Sequence, residues 1–129
     1  MEQSELNSTT GARLNLYKAL PAQAPKALVH ITHGMAEHAA RYASFADVLT
    51  QDGFAVFAHD LRGHGHTKSE DAPLGMFAPT GGLDKVMADQ DCVLDHIAQE
   101  FPDTPIFFFG HSLGSVLVLN YAIRNPDKL

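Results

Sequence analysis

Residues 105–119 read Pro105-Ile106-Phe107-Phe108-Phe109-Gly110-His111-Ser112-Leu113-Gly114-Ser115-Val116-Leu117-Val118-Leu119. An apolar run of strand length ends in Gly-x-Ser-x-Gly and continues at once into an apolar run of helix length. A strand, a sharp turn and a helix in this order are the setting in which a nucleophilic serine stands at the tip of a strained turn. The two glycines suit such a turn because they remove side chains where strand and helix approach closely. Ser112 is therefore the candidate nucleophile.

The strands of the domain are predicted from runs of apolar residues. The nearly continuous apolar run at 27–32 is typical of a strand that is covered on both faces in a parallel sheet, the run at 54–58 predicts a second buried strand, and the run at 105–109 predicts the strand before Ser112. Residues 12–20 alternate apolar and polar side chains, which predicts a half-exposed antiparallel strand at an edge of the sheet. The polar residues 1–11 predict a flexible N-terminus that ends in a turn. The folded domain is accordingly expected over residues 12–129.

Helical spacing of apolar residues predicts three helices between these strands. The first runs from Arg41 to a cap at Gly53, and a loop over residues 68–82 precedes the second, an amphipathic helix that ends near Phe101. The third, over 113–123, is apolar nearly all round and is expected to be buried. The polar face of the second helix carries four aspartates, namely Asp84, Asp89, Asp91 and Asp95. Strands that alternate with helices predict an α/β domain with a mostly parallel sheet and flanking helices.

Composition places the chain among ordinary globular proteins. Its 129 residues fit one domain, and 45% apolar and 19% charged residues are usual values. A formal charge of −6 disfavours nucleic acid or an anionic membrane surface as a partner. The acidic, polar N-terminus does not resemble a signal peptide, and no apolar run reaches spanning length, so we expect a soluble cytoplasmic protein. The single cysteine, Cys92, excludes an internal disulfide and is expected to be a small buried residue.

Three segments that could take part in catalysis or binding follow predicted strands. They are His33-Gly34-Met35, the loop from Asp60 to Thr67, and Ser112, and the carboxyl ends of parallel strands are where such sheets bind ligands. A nucleophile that attacks a carbonyl needs two N–H donors for the oxyanion that develops. The backbone N–H groups of Leu113 and Met35 are the candidates. The alternative is that His33-Gly34 is only a turn that ends a strand.

The histidines of these loops raise the hypothesis of a metal site. His64-Gly65-His66 lies in a glycine-rich loop, and no cysteine or carboxylate stands beside it at a familiar ligand spacing. Serine hydrolysis also needs no metal, so we expect neither a metal nor another cofactor. Asp60 and Arg62 could contact a substrate, but hydrogen bonds that fix their own loop are the favoured interpretation.

The chain resembles the first half of an α/β-hydrolase, in the group that contains monoacylglycerol lipases, lysophospholipases and serine aminopeptidases. Three motifs carry the resemblance, which covers about residues 10–129. In chain order they are His33-Gly34-Met35-Ala36-Glu37-His38 with Arg41-Tyr42, then His59-Asp60-Leu61-Arg62-Gly63-His64-Gly65, then Gly110-His111-Ser112-Leu113-Gly114. Thr67 and Ser115 depart from the residues usual in the group, and both are small.

The resemblance implies hydrolysis of a carboxylic ester through an acyl-enzyme on Ser112, with monoacylglycerol or lysophospholipid as substrate. It also implies peripheral contact of the full-length protein with a membrane. An aminopeptidase-like amide hydrolase of the same fold is one alternative. A non-catalytic remnant or binding module is another.

The rest of a catalytic triad is missing from this sequence. In this fold the triad acid and histidine follow the serine, whereas after Ser112 the chain has one acid, Asp127, and no histidine. Asp127 comes directly after the predicted third helix, where the resembling proteins have a turn, so the acid role is not assigned to it. The sequence is therefore interpreted as the N-terminal part of a hydrolase, inactive alone. The strand before Ser112 would lack one neighbour, which predicts self-association.

Overall fold

Five strands and three helices form the part of the chain that the computed structural model describes, residues 1–128. In chain order the elements are β1 (Glu2–Asn7), β2 (Arg13–Ala19), β3 (Ala27–Thr32), α1 (Ala43–Gln51), β4 (Phe54–His59), α2 (Gly82–Glu100), β5 (Ile106–Gly110) and α3 (Leu113–Arg124). Short 3-10 turns at Ala39–Tyr42 and Pro126–Lys128 complete them. The strands form one sheet in the order β1-β2-β4-β3-β5, in which β4, β3 and β5 are parallel. The predicted α/β fold class is confirmed.

Helices cover both faces of the parallel part of the sheet. On one face Leu28 and Phe57 pack with Val93 and Ile97 of α2. On the other face Val29, Ile31, Val56 and Ala58 of the sheet pack with Ala46 of α1. Successive residues of β3 thus enter opposite layers, which explains why all six residues of the strand are buried.

The N-terminal segment differs from the prediction. Glu2–Asn7 form β1, which pairs antiparallel with β2 over its whole length, and the turn after it packs on α2, where the Thr9 N–H donates to the Cys92 Sγ at 3.4 Å. Five of the six residues of β1 are exposed, so no buried pattern marks the strand in the sequence. Because β1 covers its outer edge, β2 is an interior strand rather than an edge strand, and Leu14 and Leu16 are fully buried. Cys92 is only half-buried.

The opposite edge of the sheet is open. Among the described residues β5 pairs only with β3, and the Phe107 side chain is 59% exposed. One face of α3 is also uncovered, although the sequence predicts a buried helix: Leu117 and Tyr121 pack inward, whereas Val116, Leu119 and Ile123 are 60–71% exposed. Within residues 1–128 no helix is long and apolar enough to cross a membrane.

Candidate active site

Ser112 lies in the tight turn between β5 and α3. Its backbone has φ 56° and ψ −119°, a left-handed conformation that costs a residue with a Cβ about 1–3 kcal/mol. The turn is closed by the Gly114 N–H, which donates to the His111 carbonyl at 2.8 Å. A Cβ on Gly114 would overlap the Thr32 carbonyl oxygen at the end of β3, so the turn requires glycine there. The serine side chain is left exposed at the tip of the turn.

The loop after β3 lies directly against this turn. A Cβ built on Gly34 would stand 3.3 Å from the Ser112 Cβ and 3.1 Å from the His111 carbonyl oxygen. A side chain at this position would require the two loops to move apart by a few tenths of an ångström, so glycine allows their close approach. Neither candidate oxyanion donor, the N–H of Met35 or of Leu113, donates a hydrogen bond to another residue in the described part of the chain. Both groups therefore remain free to bind a ligand.

Asp60 fixes the loop after β4, as the sequence predicts. Its carboxylate is fully buried and accepts three hydrogen bonds at 2.8–2.9 Å, from the Ala39 and His66 N–H groups and from the Asn15 side chain. These donors belong to β2, to the loop after β3 and to the loop after β4. Asp60 thus ties together three segments that border the strand ends. Nothing in the sequence distinguishes Asn15 from the other polar residues of the alternating strand β2.

Arg62 has the structural role that the sequence favours. Its side chain is fully buried and donates to the Phe77 carbonyl at 2.9 Å and to the Thr10 hydroxyl at 2.8 Å, and it pairs with two carboxylates, those of Asp71 and Asp89. Asp89 was expected on the solvent face of α2, but it is 1% exposed. Its burial follows from its partners, since the Arg62 guanidinium lies 3.3 Å away and the Thr10 hydroxyl donates to it at 2.6 Å.

The buried histidines of β3, of β4 and of the loop after β3 contact each other and the backbone. The His33 Nδ1 donates to the Gly34 carbonyl at 2.7 Å, and its Nε2 accepts from the Leu61 N–H at 3.0 Å, so the ring is held neutral. His30 Nε2 and His59 Nδ1 lie 3.3 Å apart in the core. Burial, with the neighbouring His33, lowers the pKa of His59 to about 4. Over residues 1–128 no group of three or more His, Cys, Asp or Glu side chains is placed to hold a metal ion.

No general base contacts the candidate nucleophile in the described residues. All eight histidines precede Ser112 in the sequence, and the ring nitrogens of His30, His33 and His59 are used as above. His111, the neighbour of the serine, turns its Nδ1 towards Glu37, 3.3 Å from Oε2. The structure thus brings Ser112 and Gly34 together and leaves the serine hydroxyl without an activating partner in residues 1–128.

A family model and several known proteins are similar to this chain. A family model described as serine aminopeptidase, S33, matches residues 23–129. The chain is similar to the monoglyceride lipase of Mus musculus, with 35% identity over 106 residues, which are 82% of this chain and 33% of the relative. It is also similar to the monoglyceride lipase homolog of Monkeypox virus, with 34% identity over 83% of this chain and 37% of the relative.

Solved structures share the fold. A thermostable carboxyl esterase from Bacillus coagulans, solved in complex with glycerol, superposes with a TM-score of 0.85 at 28% identity. The match covers 99% of this chain and 41% of the esterase. The chain spans about a third of the length of the curated relatives that it matches.

Proposed function

Because this chain belongs to the serine aminopeptidase (S33) family, we propose that it carries the nucleophile and the oxyanion hole of a serine hydrolase. In this proposal Ser112 is the nucleophile, and the N–H groups of Met35 and Leu113 bind the oxyanion. The observation that carries it is the strained backbone of Ser112, with Gly34 packed against its Cβ. A non-glycine residue persists in such a conformation where the surrounding structure fixes it, which is typical of active sites.

The proposed reaction proceeds through an acyl-enzyme. The Ser112 Oγ bonds to the carbonyl carbon of an ester while its proton passes to a base, and the carbonyl oxygen takes up the negative charge. Two N–H donors stabilise that charge, and removing one such donor typically slows catalysis by about 10²–10³-fold. The carbon–oxygen bond of the ester then breaks, and the leaving alcohol takes the proton. Water hydrolyses the acyl-serine and releases the carboxylic acid.

The reaction requires a histidine and a carboxylate in addition to Ser112. The sequence after Ser112 contains no histidine, and a serine hydroxyl without a base stays protonated and weakly nucleophilic. We infer that turnover depends on polypeptide beyond this sequence. The length of the curated relatives, about three times the matched segment, supports this inference.

The proposed substrates are monoacylglycerols or lysophospholipids. The names of the relatives, which are monoglyceride lipases, support an ester of glycerol. The family description favours a second candidate, an amide hydrolase that releases an amino acid. Release of fatty acid from monoolein and lysophosphatidylcholine, compared with release of p-nitroaniline from aminoacyl anilides, separates the two.

A non-catalytic binding module is the candidate from a different class. It is favoured by the absence of a base at Ser112 among the described residues. Labelling distinguishes it from a hydrolase: the complete protein, as its gene encodes it, is treated with a fluorophosphonate probe, and the adduct is mapped by mass spectrometry. A hydrolase acquires the adduct on Ser112, and Ser112→Ala abolishes it, whereas Ser115→Ala, the matched control, does not. Labelling elsewhere, or equal labelling in Ser112→Ala, contradicts the proposal.

A further inference from the structure

The Glu37 carboxylate borders the same small space as Ser112. The side chain is 8% exposed, and its Oε2 lies 3.3 Å from the His111 Nδ1. A Cβ on Gly34 would be 3.2 Å from this Oε2 and 3.3 Å from the Ser112 Cβ. Glu37 thus lies between the loop that bears Met35 and the residue that precedes the candidate nucleophile.

The carboxylate of Glu37 is charged although it is buried. Burial raises its pKa, but the Tyr42 hydroxyl, the Gly34 N–H and the His111 imidazole together bring the pKa below its ordinary value. Burial and the same carboxylate raise the pKa of Tyr42 to about 12, so its hydroxyl stays protonated and can donate. The contact that the geometry shows is with His111, whose Nδ1 lies 3.3 Å from the Glu37 Oε2.

Two unfavourable features adjoin each other in this loop. Ala36, between Met35 and Glu37, has φ 59°, a left-handed conformation that residues with a Cβ avoid. The Oε1 of Glu37 is buried without a hydrogen-bond partner in residues 1–128. A strained backbone is kept only where neighbouring contacts fix it, and Glu37 is the anchored side chain next to Ala36. Unfavourable features of this kind are typical of functional sites.

We propose that Glu37 is a positioning residue that holds the loop of residues 34–37 against His111 and so aims the Met35 N–H at the oxyanion beside Ser112. Glu37 itself touches neither the substrate nor the reacting atoms. The inference rests on the proposed function, because the donor role of Met35 is part of that function. It adds a residue to which sequence reasoning assigned no role, although Glu37 belongs to one of the three motifs of the resemblance.

Two readouts on the complete protein test this role. The first is the rate of fluorophosphonate addition to Ser112, and the second is amide hydrogen exchange of the peptide that covers residues 33–38. Glu37→Ala should slow labelling by about 10–100-fold, since a misplacement of about 1 Å at a reacting centre can cost that much, and should speed exchange in this peptide alone. Glu37→Gln, which keeps an acceptor, should stay within about threefold of the unsubstituted protein. The exposed control Glu70→Ala should change neither readout.

A double-substitution cycle separates positioning from general loss of structure. Glycine adopts the conformation of Ala36 without strain, so in an Ala36→Gly background the loss caused by Glu37→Ala should shrink at least threefold. If Glu37→Ala unfolds the protein, Tyr42→Phe, which removes a hydroxyl that lowers the pKa of Glu37, should slow labelling several-fold and speed exchange only over residues 33–38.

The outcomes distinguish this inference from the proposed function. Unchanged labelling and exchange in Glu37→Ala, or in Tyr42→Phe where the former unfolds, would overturn the positioning role and leave Ser112 as the nucleophile. Absence of labelling in every variant, with faster exchange confined to residues 33–38 in Glu37→Ala, would support the positioning of the loop and overturn the proposed function.

Discussion

Acidification from pH 7 to pH 5 should destabilise the fold through His59. The ring is fully buried beside His30, with His33 and Asp60 as its other titratable neighbours, and its pKa falls from the ordinary 6.5 to about 4. Between these two pH values the unfolded chain binds a proton at His59 that the folded chain does not. The contribution of the neutral His59 to stability is therefore fully present above pH 6.5 and is lost as the pH falls towards 4. At about 1.4 kcal/mol per pH unit the whole effect is about 3 kcal/mol, and about 2 kcal/mol of it is lost by pH 5.

Urea unfolding followed by far-UV circular dichroism measures this loss at each pH. In His59→Asn, where an amide oxygen can replace the Nδ1 acceptor facing His30, the free energy of unfolding should fall by about 2 kcal/mol less between pH 7 and pH 5. His66→Asn removes an exposed histidine of the same loop and should keep the dependence of the unsubstituted chain. An equal fall in His59→Asn and in the unsubstituted chain would refute the reasoning.

Three further predictions concern the buried ion pair, the open edge and turnover. Asp89→Asn should lower the free energy of unfolding by about 3 kcal/mol because it removes a buried partner of Arg62. Asp84→Asn, which breaks an exposed pair with Arg124, should change the free energy of unfolding by less than about 1 kcal/mol. Equal melting temperatures of the two variants would contradict this prediction. The purified 129-residue chain should associate at micromolar concentration in size-exclusion chromatography with light scattering. Leu119→Lys on α3 should reduce this association more than Val48→Lys on α1, because Val48 is equally exposed but lies on a helix that packs mainly on β4 rather than on β5. A stable monomer would mean that the edge at β5 is protected in another way. The same chain should hydrolyse p-nitrophenyl esters at a negligible rate, because general-base assistance typically contributes about 10²–10⁴-fold, and turnover that depends on Ser112 at the rate of a full-length relative would contradict this.

The elements that the sequence predicts correctly are those whose cause is local. Strands β3 and β4 are buried on both faces and are therefore largely apolar, and the Gly-x-Ser-x-Gly pattern marks the turn at Ser112 between strand and helix. Strand β1 could not be predicted because its side chains are exposed and its pairing with β2 is a tertiary interaction. The burial of Asp89 likewise depends on Arg62, 27 residues earlier, which no helical period can indicate.

The exposure of one face of α3 differs from the prediction for another reason. The sequence predicts burial because the helix is apolar nearly all round, and the described residues cover only the side that carries Leu117 and Tyr121. The contact of Glu37 with His111 was also beyond prediction, since it joins loops that are 74 residues apart in the sequence. A carboxylate in a loop is most often solvated, and only the packing of Gly34 against the turn at Ser112 encloses this one.

The acyl-enzyme itself offers the most direct test of the assignment of Ser112. The complete protein is mixed with a p-nitrophenyl ester of a medium-chain fatty acid, quenched in acid within seconds, digested and analysed by mass spectrometry. The peptide that contains Ser112 should carry the mass of one acyl group on the serine hydroxyl, and the modified peptide should disappear in Ser112→Ala while it persists in Ser115→Ala. Hydrolysis of the ester without acylation of Ser112, or acylation that survives Ser112→Ala, would contradict the account.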